Sequence, residues 1–187
     1  MSISAGAIAI TGHTWCMVSI SPSLPCRRSI ETPVQNSKFK SLIRKVNIYP
    51  PYLGMGIRVA STNEDFTRFD VELRPKWYTR NLFGTHFGGS LYAMADPFFV
   101  FIVMMNFGQR YIVWDKSAAI EFLRPAKGTI RATFEISQDE LARMRAQVDE
   151  LGKNTYHFEV DLVDEANNVV ARVAKEVYVR KKAPRDG

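Results

Sequence analysis

The chain has 187 residues, enough for one domain with a substantial core plus a further segment. Hydrophobic residues make up 46% and charged residues 24%, which places it in the ordinary globular range. The net charge of +6 is dispersed. Its densest groups are Lys38, Lys40, Arg44 and Lys45 near the front, and Arg180, Lys181, Lys182 and Arg185 at the end. They read as solvated ends of a globular domain rather than a nucleic-acid surface, and a moderately positive rim attracts anionic ligands.

Residues 1–37 stand apart. They are rich in Ser, Thr, Gly and Pro, and carry no acidic residue before Glu31. The apolar run Ile3 to Ile10 is short and no basic residue precedes it, so it makes a poor secretory signal and a poor membrane span. This segment is expected to be a disordered leader, followed by a domain over 38–182 and a tail over 183–187. Cys16 and Cys26 both fall in the leader. The domain therefore has no disulfide, thiolate metal site or cysteine nucleophile. With only His13, His86 and His157 besides, neither a metal nor another cofactor is expected.

Regular patterning begins at Lys38. Lys38 to Val46 predicts a short helix, stopped by an extended Pro50-Pro51 pair. Gly56 to Ser61 and Thr67 to Arg74 predict strands, and in the second Phe69, Val71 and Leu73 alternate with charged residues. Gly88 to Phe107 is almost uniformly apolar, with Asp96 beside Pro97 in its middle. That interruption argues against a membrane span and for one helix buried all round in a core.

Tyr111 to Arg124 and Thr129 to Ser137 predict strands. Ser137 with Glu140 forms a capping box that opens a helix, with Leu141, Met144, Val148 and Leu151 on one face and Gly152 as its stop. Tyr156 to Val163 and Val169 to Arg180 predict the last strands, flanking the turn-rich segment 164–168. One antiparallel sheet wrapped around one long helix satisfies this order, an α+β class.

The segment Asn81-Leu82-Phe83-Gly84-Thr85-His86-Phe87-Gly88-Gly89-Ser90-Leu91-Tyr92-Ala93-Met94-Ala95-Asp96 resembles the hotdog thioesterase superfamily. In its phenylacetyl-CoA thioesterase branch the helix opens with His-Gly-Gly, with Asn six positions before the His and Asp nine after it. Asn81, Phe87 and Asp96 stand at those spacings. Ile120-Glu121-Phe122-Leu123-Arg124-Pro125-Ala126 also looks like that branch's strand-ending Phe-Leu-Arg-Pro signature. The wording Gly-Thr-His-Phe-Gly-Gly-Ser-Leu-Tyr, with Tyr111 to Lys116 later, is similar to a branch without an assigned activity.

The resemblance implies an acyl-CoA or other acyl-thioester ligand, and a homodimer or dimer of dimers in the cytoplasm. Asn81 and Gly88 of one chain would then face Asp96 of the other. Free N–H groups of Gly88 and Gly89 suit a developing oxyanion, and one such donor is worth on the order of 3 kcal/mol of barrier. A lone carboxylate in so apolar a helix favours a special role for Asp96, although an Asp held by backbone or by a lysine reads nearly as well.

Two positions depart from the branch. Phe87 replaces its His, which leaves His86 to serve if the loop turns it inward. Asp115 stands where a hydroxyl residue is expected, and a site shared with Asp96 should raise one pKa. Lys116 is expected on the opposite strand face unless a bulge turns it towards a carboxylate. Trp114 suits packing, an interface or a ligand contact. Hydrolysis and non-catalytic acyl binding both remain open.

Overall fold

The computed structural model describes residues 41 and 43–183. The expected leader, and residues 184–187 of the expected tail, lie outside them. Residues 43–47 are helical, as their spacing predicts. Pro50-Pro51 do not form an extended stop. They begin a second helix, α1 (Pro50–Met55), where a fixed φ is preorganised and a missing N–H costs nothing.

Period-two alternation builds the sheet. Its strands are β1 (Ile57–Thr62), β2 (Arg68–Leu73), β3 (Tyr111–Phe122), β4 (Ile130–Glu135), β5 (Lys153–Val163) and β6 (Val169–Lys181). They lie in the order β1-β2-β4-β5-β6-β3, every neighbouring pair antiparallel. Phe69, Val71 and Leu73 of β2, and Phe158, Val160 and Leu162 of β5, are buried on one face. The long pairing of β3 with β6 carries a bulge between Asp115 and Ser117. It leaves β3 as an edge strand among the described residues.

The apolar segment 88–107 packs on this sheet, but as two helices rather than one. α2 (Gly88–Ala93) ends before Pro97, and α3 (Phe98–Phe107) begins after it. Proline offers no N–H and its ring obstructs the preceding turn, so the helix breaks there. By length and composition the segment is apolar enough to cross a membrane. Here it supplies the core. Phe98 packs against Tyr52, Phe69, Phe101 and Phe134, and Phe99 stacks on Phe158 at 4.7 Å. It is not buried all round, because Tyr92 and Met104 face outwards.

α4 (Gln138–Leu151) is capped as its sequence predicts: Ser137 Oγ accepts from the Glu140 N–H at 3.2 Å. Leu141, Met144 and Val148 are buried, whereas Leu151, expected on that face, is 63% exposed. Gly152 ends the helix at φ +77°, its N–H donating to the Val148 carbonyl.

Candidate functional site

The loop before α2 is held by Asn81. Its Nδ2 donates to Thr85 Oγ1 at 2.8 Å and to the His86 carbonyl at 3.3 Å. Its Oδ1 accepts from the N–H groups of Phe83 and Thr85. The loop turns His86 inward, where it is buried, and Nε2 donates to the Gly128 carbonyl at 2.7 Å. Nδ1 is then an acceptor, buried and without a partner among the described residues.

Asn81, His86 and Gly88 line one cleft of about 650 Å³ together with Leu91, Phe122, Arg124 and Lys127, among others. Among the described residues no carboxylate is in its wall. The N–H groups of Gly88 and Gly89 find no acceptor among the described residues. Because α2 has only six residues, these N–H groups rather than a long helix dipole supply the local positive potential. Phe87, 59% exposed, lays its ring over Gly89, so close that a Cβ there would meet it at 2.3 Å.

Asp96 stands away from this cleft, at the break between α2 and α3. The Tyr52 hydroxyl donates to its backbone carbonyl. Burial, followed by the nearby Asp96 charge, holds the Tyr52 hydroxyl well above the usual phenol range. The side chain of Asp96 is half exposed, and its Oδ1 lies 3.2 Å from Lys175 Nζ. That ammonium also meets Asp115 Oδ2 at 2.9 Å. Lys175 is 2% exposed, with its Nζ over the Tyr92 ring. Asp115 is pushed up to about 6, by burial first and then by the neighbouring Asp96 carboxyl, against the pull of Lys175. Lys175 is raised overall: burial opposes its charge, but the bonds to Asp115 and Asp96 more than offset it.

The structure thus brings Asp96 and Asp115 together, and Asn81, His86, Gly88 and Gly89 together, as two groups. Trp114 and Lys116 join neither. Trp114 stacks on Tyr178 with centroids 4.4 Å apart, and Lys116 pairs with Glu176 at 3.2 Å. A bulge that could have turned Lys116 is present, yet the lysine that reaches the carboxylates is Lys175. Sequence reasoning missed it although a signal existed. In Ala171-Arg172-Val173-Ala174-Lys175-Glu176-Val177-Tyr178-Val179, Lys175 occupies the inward phase of a strict alternation. Among the described residues there is no cluster suited to a metal.

Comparison with solved structures gives likeness across the domain. A protein of unknown function from Pseudomonas aeruginosa, a probable thioesterase, is 22% identical with a TM-score of 0.67, over 76% of this chain and 96% of that one. A thioesterase from Haemophilus influenzae is 14% identical with a TM-score of 0.57, over 79% and 94%. The PaaI protein of the E. coli phenylacetic acid degradation operon is 16% identical with a TM-score of 0.55, over 80% and 96%. At these identities the likeness establishes the fold. Comparison with curated protein sequences gives no match. The chain has the hotdog fold of these thioesterase-like neighbours, and through residues 38–179 it belongs to the family described as Domain of unknown function (DUF4442).

Proposed function

We propose that the domain hydrolyses acyl thioesters such as acyl-CoA at a site completed by a second copy of the chain. One observation carries this reading. The cleft that holds Gly88 has backbone donors but, among the described residues, no carboxylate, while Asp96 stands half exposed elsewhere on the same apolar segment. A second copy related by a two-fold axis brings each to the other. The 12-residue edge strand β3 gives such a copy a place to pair.

In this arrangement Asp96 of one copy takes a proton from the attacking water. The N–H groups of Gly88 and Gly89 of the other copy hold the carbonyl oxygen as it becomes negative. Collapse breaks the carbon–sulfur bond, and the leaving thiolate takes the proton. Arg124 and Lys127 on the cleft rim suit an anionic carrier. The cytoplasm, as the resemblance implies, is the compartment proposed for this chemistry.

A second reading is a non-catalytic acyl binder, and the Phe87 ring favours it, because it packs an apolar group against the Cα of Gly89 where the resembled branch has a polar His. Purified protein assayed against short-, medium- and long-chain acyl-CoA decides between them. Hydrolysis is expected, and Asp96→Asn should reduce it at least 100-fold, on the order of a general base's contribution. No turnover across the series, or full activity in that variant, overturns the assignment. A lipid-like ligand found by mass spectrometry with no turnover would support the binder.

A further inference from the structure

We propose that Lys175 is a positioning residue that binds Asp96 and Asp115 into a carboxyl–carboxylate pair holding one proton between them. Charge counting leads there. Two carboxylates and one ammonium meet where Lys175 is almost wholly buried, at 3.2 and 2.9 Å. With both carboxylates ionised the cluster carries one uncompensated negative charge, and that charge is costly on Asp115, which is largely buried, more than on the half-exposed Asp96.

No second cation reaches it among the described residues. Lys116 is committed to Glu176, and His157 to the same carboxylate, with Glu176 out of phase with Lys175 on β6. The polar groups that face the cluster are Tyr52 and Tyr49 around α1, and Tyr92 on α2. The Tyr52 hydroxyl is spent on the Asp96 backbone carbonyl, Tyr49 packs edge-on against the Tyr52 ring, and Tyr92 presents its ring to Lys175. Below about pH 6 a proton on Asp115 is therefore the compensating charge.

The geometry also says where it sits. Lys175 takes Asp115 Oδ2, and Asp115 Oδ1 is buried with no partner as long as it is only an acceptor. Protonated, that carboxyl becomes a donor, and the Asp96 carboxylate held by the same Lys175 ammonium is the acceptor we assign to it. The raised Asp115 agrees with this. Asp96, the half-exposed member, is left as the pair's outlet.

The inference rests on the proposed hydrolysis only for its consequence for rate, since Lys175 would then set the state of the base through contacts rather than touch substrate. Carboxyl carbon NMR of the full-length protein, with signals assigned from Asp115→Asn and Asp96→Asn, tests the pair without any turnover. Wild type should show an Asp115 midpoint near 6. Lys175→Met should raise that midpoint by about one pH unit or more, a tenfold change in proton affinity.

Should Lys175→Met fail to fold, Asp96→Asn serves: loss of the neighbouring carboxylate should lower the Asp115 midpoint. An Asp115 midpoint at the ordinary value near 3.8 in wild type, or one unmoved in either variant, overturns the proposal. If turnover is found, the acid limb of the kcat/KM profile should move with the NMR midpoint. A shifted midpoint without turnover keeps the one-proton pair and removes only the hydrolase reading.

Discussion

Asp115 should make the stability of this domain fall as pH rises through the range where most proteins are insensitive to it. Its carboxyl is raised from 3.8 to about 6 in the folded protein, by burial and by Asp96, so the folded state holds its proton more tightly than the unfolded chain. For a group shifted in this direction, the stabilising contribution is fully present below the unfolded value of 3.8. It is lost as pH rises through about 6.

The interval from 3.8 to about 6 corresponds to roughly 3 kcal/mol. In a domain of this size that is on the order of 10 °C in Tm. Asp70, Asp149, Asp161 and Asp164 are all lowered from 3.8 and act in the opposite direction, but only below that pH. Thermal melts of wild type and Asp115→Asn from pH 4.5 to 8, at one protein concentration, isolate the effect of the cluster, because titrations away from Asp96 and Lys175 are common to both. Wild type should lose several degrees relative to the variant across that range. Parallel curves would falsify the placement of Asp115 in a partly buried, carboxylate-bearing site.

Phe98→Ala should cost about 3–5 kcal/mol in urea unfolding, since the ring is fully buried among Tyr52, Phe69, Phe101 and Phe134; a loss below ~1 kcal/mol would contradict that packing. Asn81→Ala should lower stability by about 1–2 kcal/mol, because its amide makes four local hydrogen bonds in a partly exposed loop. An unchanged unfolding midpoint with altered turnover would instead mean that the amide acts on the substrate.

Much of this protein was legible one element at a time. Alternation in Phe69, Val71 and Leu73 fixed the inward face of β2, and Ser137 with Glu140 marked the start of α4, because these signals depend on neighbours within a few residues. The hydrophobic run at 88–107 identified the core segment, and Pro97 beside Asp96 already contained the cause of its break. The run's composition hid that break, since apolar residues on both sides continue the same pattern.

The candidate site divides in the same way. Asn81, His86 and Gly88 are close in sequence, so their shared cleft follows from one loop and one helix start. Asp96, Asp115 and Lys175 are not close in sequence. They meet only because α2 and α3 lie on the sheet and β6 pairs with β3 in a register that sets Ala118 opposite Lys175 and Asp115 opposite Val177. The sequence alone determined that Lys175 points inward, through its phase between Val173 and Val177. Only the tertiary structure decided that two carboxylates await it there, because a buried charge takes its partners from whatever the packing brings within a few ångströms.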